Sequence, residues 1–339
     1  MKNDIQAEYE RLKDESLRLG ASEHFRSFST LFADQQIWKS YQWLLDMVPR
    51  SLDGCDVMDV GCKYGHLMPL FFAQGARSAI GIDVEDSYLR PASEIISAIW
   101  PQARFKKSEQ GYLPIASDSV DLVVVNEVIS HVNPSYLPNL FSEIARVLRV
   151  GGHVLISDGN NIANDECRKD LVDVYDAWEN GPDGRKTGRD VVEDYFLDIR
   201  RRKIRSWYPD LAADRVDFAA RNTSGLFGDY FRKMVDRYMA DEDFVARPYR
   251  RGECPTNPSD EGVVMEFGFY PQQVEMALAM YGIRAHQVRA EPPHINWSTA
   301  KRVLGSAYLV ARHHLREWRH PDAYRGASWG FQILGVKER

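Results

Sequence analysis

The chain has 339 residues, 44% apolar and 27% charged, so it is long enough to bury a substantial core and has the make-up of an ordinary globular protein. Its formal charge of −6 excludes a general polyanion binder, because neutralising phosphates takes a basic surface, though it leaves room for a local basic pocket. No run of about 18 apolar residues and no N-terminal apolar leader occur, which excludes a membrane-spanning helix and points to the cytoplasm.

The first 50 residues read as helices. Ile5, Tyr9, Leu12 and Leu17 recur at near-helical spacing, and an aromatic-rich stretch from Phe32 to Leu45 is ended by Pro49. Trp38, Tyr41 and Trp43 in that stretch are candidates for a lid, although packing onto the rest of the fold is the simpler reading. Next comes Val57-Met58-Asp59-Val60-Gly61-Cys62-Lys63-Tyr64-Gly65-His66, an apolar strand ending in an acid and then two glycines in a tight turn. A backbone that turns sharply close to a ligand cannot carry a Cβ, which is why glycine is wanted there. A helix follows near 65–75. The second strand, Ser78–Asp83, ends in another acid about 20 residues after the glycines, the distance at which a βαβ unit sets a carboxylate against ribose hydroxyls.

A helix near 88–99 precedes a third run, Ala103–Lys107, which leads into Ser108-Glu109-Gln110-Gly111. The strand Leu122–Val125 ends at Asn126-Glu127. A helix near 136–148 then introduces Val154-Leu155-Ile156-Ser157-Asp158. Five such elements in this order resemble the class I S-adenosylmethionine-dependent methyltransferases, and most closely the branch acting on small molecules and sugars. The resemblance implies a Rossmann-like α/β fold: a seven-stranded, mostly parallel sheet with a mainly helical cap inserted after strand five. It implies S-adenosylmethionine as cofactor. Asp59, Gly61 and Gly65, with Cys62 and Tyr64, would shape the methionine end of its pocket. Asp83, with Val84 beside it, would serve the ribose, Glu109 and Gln110 the adenine edge, and Asn126 with Glu127 the methionine moiety. Lys63 departs from the family, which commonly has a middle glycine there, so its side chain must turn outward or line the site. The acid-after-glycines pattern also resembles dinucleotide dehydrogenases, but the spacing is not G-x-G-x-x-G.

Organisation beyond residue 160 is more individual. Residues 1–50 form N-terminal helices, 51–160 the cofactor-binding core, 161–262 a substrate-binding cap, and 263–339 the end of the core sheet with a second helical insertion at 291–328. The cap includes the turn-like Asn180–Gly184 and the basic run Arg200-Arg201-Arg202-Lys203-Ile204-Arg205. That run would bind a substrate anion or RNA, but a solvated helix face is the safer reading. From Pro271 a helix runs to Gly282, strand Ile283–Arg289 follows, and Gly330–Val336 closes the sheet, the last strand being antiparallel.

For chemistry, an acceptor hydroxyl must lose a proton, and His131, just beyond the fourth strand, is the candidate base, with Asp158 as a second catalytic candidate. Asn160, Asn161, Arg221, Thr223 and Arg250 are candidates for acceptor binding. His153 reads as a core histidine. His313, His314 and His320 lack matched carboxylates, and Cys55, Cys62, Cys167 and Cys254 have no metal-ligand spacing, so no metal site is expected and the thiols read as free. The expected partner is a small-molecule or glycan substrate. Nucleic acid is disfavoured by the charge, no membrane span is expected, and a homodimer is admitted. The expected activity is O-methylation of a sugar, glycan or natural-product hydroxyl. The competing functions are an RNA or tRNA methyltransferase and a cofactor-binding protein without catalysis.

Overall fold

Strand β1 (Asp56–Val60) is buried along almost its whole length, as a central parallel strand covered on both faces must be. It pairs in parallel with β2 (Ser78–Asp83) on one side and β4 (Val120–Asn126) on the other, so Asp59 sits between Gly81 and Val124. The computed structural model describes residues 4–181, 194–259, 262–288, Ala311 and 329–339. With β3 (Ala103–Lys107), β5 (Leu148–Asp158), β6 (Ile283–Val288) and β7 (Phe331–Lys337), the sheet has seven strands in the order β3-β2-β1-β4-β5-β7-β6. The last strand runs antiparallel to both its neighbours, as expected from the sequence.

Helices cover the two faces separately. Helices α4 (Met68–Ala73) and α5 (Asp86–Ile99) lie over β2 and β3, joined there by α1 (Ile5–Arg18) and α2 (Glu23–Asp34). Their core includes Tyr9, Phe25, Leu70, Phe71 and Ile96, all fully buried. On the opposite face, α6 (Leu137–Val147) and the later helix Pro271–Ala279 pack against β5 and β6 over Met58, Val125, Ile144 and Phe331. The order reverses between β1 and β4, and the crevice at such a switch point, beyond the carboxyl ends of the strands, is where α/β sheets bind ligands.

The N-terminal helices are fixed by local chemistry. Asp4 caps α1 through the Gln6 N–H, and Ser22 caps α2 through the Phe25 N–H. The aromatic-rich stretch from Phe32 to Leu45 is shared between two helices. Gln36 takes a left-handed φ of 52°, ending α2 and redirecting the chain into α3 (Trp38–Leu45). The Tyr9 hydroxyl donates to the His66 carbonyl at 2.7 Å, which ties α1 to the segment after the glycine turn.

After β5 the chain enters α7 (Asp165–Asn180), capped by the Asn164 side chain, and then α8 (Phe196–Trp207), α9 (Ala213–Arg221) and α10 (Gly228–Met239). The last three share a small core of Leu197, Ile204, Val216, Phe231 and Val235. The basic run on α8 is only partly the solvated face expected. Arg200 is fully buried, paired with buried Glu179 on α7 and donating to the Ala220 carbonyl at 2.8 Å. Arg201 pairs with Asp198 and Asp217, and Arg202 with Asp194. The chain returns through residues 262–270 to α11 (Pro271–Ala279) and β6. The second insertion, with its expected helix and histidines His313, His314 and His320, falls outside the described residues apart from Ala311, as does Pro182–Gly184 of the turn-like Asn180–Gly184. No described helix is long and apolar enough to cross a membrane.

Candidate active site

Three residues of the β1–α4 turn take left-handed backbone: Gly61 (φ 73°), Lys63 (φ 49°) and Gly65 (φ 71°). Glycine is also required sterically. A Cβ on Gly61 would stand 2.2 Å from Val128 Cγ2, and one on Gly65 2.6 Å from the Phe105 ring. Lys63 shows how the turn tolerates a side chain: it is half-buried, with Nζ 4.3 Å from the Phe28 ring centroid and 5.6 Å from that of Tyr88. Burial lowers its pKa. Its backbone N–H donates to Asp83 Oδ2 at 2.8 Å, so the turn itself positions the acid at the end of β2. Tyr64 is buried edge-on to Phe25 and Tyr88, and the Cys62 thiol is pushed up by burial, so it stays protonated.

Asp59 is 3% exposed. Among the described residues no group donates a hydrogen bond to its carboxylate, and burial followed by the nearby Asp83 charge pushes its pKa up to about 8. Asp83 is half-buried and accepts from Lys63 N and, at 3.1 Å, from Glu85 N; Val84 beside it is half-buried. The Ser108 N–H donates to the Asp83 carbonyl at 2.8 Å, which brings exposed Glu109 and Gln110 to the same edge. Asn126, half-buried, ends β4 opposite Ser157 of β5.

Beyond β4 and β5 a hydrogen-bonded lattice holds the loops together. Glu127, at a left-handed φ of 54°, accepts the Gly159 N–H at 3.1 Å. Asp158, 1% exposed, accepts from Ser130 N and Asn160 N, each at 3.1 Å. Burial, then the Glu127 charge, pushes Asp158 up to about 7. The Ser130 hydroxyl beside it is buried without a partner among the described residues. His131 closes the single 3-10 turn Ile129–His131; its ring is half-buried and makes no hydrogen bond among the described residues.

A strap running from Val264 to Phe269 crosses these ends. Val264 N donates to the His131 carbonyl, Phe267 N to that of Ser130, and Phe269 N to that of Asn160, at 3.2, 2.8 and 2.8 Å. Within it Glu266, at φ 62°, accepts from Asn160 Nδ2 at 2.5 Å. Sequence reasoning missed Glu266. A lone acid in a loop past an insertion has no signal there, since only the fold returns it to the sheet.

The structure therefore gathers Asp59, Gly61, Cys62, Tyr64, Gly65, Asp83, Val84, Glu109, Gln110, Asn126, Glu127, His131 and Asp158 along one edge. Asn160 and Asn161 lie there too, but fully buried, and Asn161 Oδ1 caps the Ala163 N–H. Arg221, Thr223 and Arg250 stand apart in the cap. Arg221 pairs with Asp217, the Thr223 hydroxyl donates to the Ala219 carbonyl at 2.7 Å, and exposed Arg250 faces Glu253. No hydrogen bond among the described residues joins them to the strand-end cluster. No group of three potential metal ligands occurs among the described residues.

Residues 57–152 match a family model described as a methyltransferase domain. The chain carries a methyltransferase domain. It is an enzyme of that kind, and its cofactor is S-adenosylmethionine. The donor set suits that molecule: a buried carboxylate with no hydrogen-bond partner among the described residues calls for a cationic or donor group, which the ammonium supplies. No curated protein matches the chain. Among solved structures, an S-adenosylmethionine-dependent methyltransferase from Mesorhizobium loti is similar at 17% identity over 88% of this chain and 97% of that one, with a TM-score of 0.43. The YcgJ protein of Bacillus subtilis is similar at 12% identity over 89% and 99%, with a TM-score of 0.43. At such scores neither likeness bears on what this methyltransferase does.

Proposed function

We propose that the methyltransferase domain transfers a methyl group to a hydroxyl of a small or medium polar acceptor, a sugar, glycan or natural-product hydroxyl. The cofactor supplies an electrophilic methyl on a sulfonium. The chain's own residues hold the two partners in line and take the acceptor proton. Asp59 serves the ammonium of the methionine end, with Gly61, Cys62, Tyr64 and Gly65 forming its wall. Asp83 and Val84 serve the ribose, Glu109 and Gln110 the adenine edge, and Asn126 and Glu127 the reacting side.

His131 is the base. The observation that carries this is a half-buried imidazole with no hydrogen-bond partner among the described residues, held just past β4 by a turn whose Ser130 N–H is anchored on Asp158. A neutral imidazole offers an unprotonated ring nitrogen that can accept the proton of a hydroxyl placed against it. Asp158, with both oxygens committed to backbone N–H groups, acts by fixing that turn. Asn160 and Asn161 shape the acceptor side through the loop they hold, and Arg221, Thr223 and Arg250 contribute from the cap.

The test is to incubate the full chain with methyl-labelled S-adenosylmethionine and a panel of polyhydroxylated acceptors, alongside amines and RNA. A labelled methyl ether on a hydroxyl acceptor is expected. Label appearing only on nitrogen, carbon or RNA would overturn the O-methyl reading while leaving the cofactor in place.

A further inference from the structure

The strap from Val264 to Phe269 belongs to none of the seven strands, yet its buried backbone groups must still be paired. Part of that pairing is with the loops beyond β4 and β5, through Ser130, His131 and Asn160. Another part comes from one side chain of α7. Tyr175 is buried there, and its hydroxyl donates to the Glu266 carbonyl at 2.9 Å while accepting from the Gly268 N–H at 3.2 Å. A phenol has one proton to give and lone pairs to receive with, which is what a carbonyl and an N–H two residues apart require. The strap lies close against this helix. A Cβ on Gly268 would stand 2.2 Å from Ile162 Cγ2 and 3.0 Å from Leu171 Cδ1, and Leu171 is one helical turn before Tyr175. Between the two residues that Tyr175 holds, Phe267 donates to the Ser130 carbonyl, and the Ser130 N–H is held in turn by Asp158. Glu266 is left-handed at φ 62°, a backbone that costs a non-glycine residue energy and persists only where its surroundings impose it. From there its carboxylate accepts from Asn160.

We propose that Tyr175 is a positioning residue for methyl transfer: its hydroxyl sets the strap against α7, and the strap sets the turn that carries His131. The route runs through hydrogen bonds alone, from the Tyr175 hydroxyl to Glu266 and Gly268, and from Phe267 and Val264 to Ser130 and His131. Without that oxygen, the Glu266 carbonyl and the Gly268 N–H lose their shared partner on the helix side. The left-handed Glu266 then relaxes, and the two bonds to the turn slacken with it.

This rests on the reading of His131 as the base, and the experiment separates the two. The full chain and its Tyr175→Phe variant, which keeps the ring and loses one oxygen, are compared by amide hydrogen exchange and by NMR of the histidine rings. The His131 resonance is assigned as the one missing from His131→Ala. In Tyr175→Phe, peptides spanning 126–133 and 262–270 should exchange faster and the His131 resonance should move. The His66 resonance, exchange over 57–66 and calorimetric affinity for S-adenosylhomocysteine should stay as in the parent. Label transfer to the polyhydroxylated panel should fall about tenfold, the loss expected for one hydrogen bond. Faster exchange confined to 262–270 with the His131 resonance fixed would mean that Tyr175 only packs the strap, and loosening that extends to 57–66 would mean general destabilisation; either overturns the inference. The parent supplies a check that needs no variant: strap and turn should open as one cooperative unit with a common exchange rate, and separate rates would overturn it equally. A His131→Ala variant that transfers label at the parent's rate would remove the base and this inference together, whereas a fixed His131 resonance in Tyr175→Phe removes this inference alone.

Discussion

Replacing Asp59 with asparagine should make the empty protein more stable while destroying its affinity for the cofactor. The carboxyl's pKa stands at about 8 against an ordinary 3.8, because burial and Asp83 disfavour its charge. The folded state therefore holds a proton that the unfolded chain releases above about pH 4. Folding stability consequently falls as pH rises from about 4 to about 8, by up to roughly 1.4 kcal/mol per unit, and levels off beyond. Asparagine fills the same space without a proton to lose, so its advantage over the parent should be small near pH 4 and widen by about 3 kcal/mol between pH 5 and pH 7.5. Urea denaturation of both proteins without cofactor, at those two pH values, measures the gap directly. A gap that does not change with pH would refute the argument that burial and Asp83 hold Asp59 protonated in the folded chain. Titration with S-adenosylmethionine in buffers of different ionisation enthalpy adds a second check: a cation arriving at a protonated carboxyl should release a proton near pH 7, and the asparagine variant should not.

Three further outcomes follow from the geometry. His131→Ala should lower turnover by about a hundredfold or more once an acceptor is known, with cofactor affinity by calorimetry nearly unchanged. Asp83→Ala should weaken S-adenosylmethionine binding by at least about tenfold, because it removes a carboxylate and also frees the Lys63 N–H it holds; native affinity in a folded variant would take Asp83 out of the site. Arg200→Met in the cap should cost about 3–5 kcal/mol in urea unfolding by stranding Glu179 in the interior, and Arg200→Met combined with Glu179→Leu should recover much of that loss.

The first half of the sheet was legible in the sequence because its constraints are local. A strand buried on both faces must be an apolar run, a turn that cannot admit Cβ atoms must use glycine, and an acid ends each of the first two strands within about 25 residues. Lys63 was readable only as a dichotomy. Its actual place is set by Phe28 and Tyr88, which are distant in sequence and offer their ring faces to its ammonium. The boundary between α2 and α3 at Gln36 was hidden for a different reason: glutamine carries no signal for left-handed backbone. Arg200 misled in the same way. A basic run reads as a wet helix face, and only the return of α7 alongside α8 supplies the acid that draws its first member inside. Glu266 lay beyond any local pattern, since it meets Asn160 only after the insertion between them has folded.

The strap from Val264 to Phe269 divides the work of the molecule. Because the cap rejoins the sheet through backbone bonds to Ser130, His131 and Asn160, any change in the insertion's length or packing is transmitted to the loops beyond β4 and β5. The turn after β1 is instead braced from the other side, by Tyr9 and the helices that precede it. Two separate anchorages thus hold the two sides of the sheet's switch point, so a change in the insertion's packing can reach one of them and leave the other undisturbed.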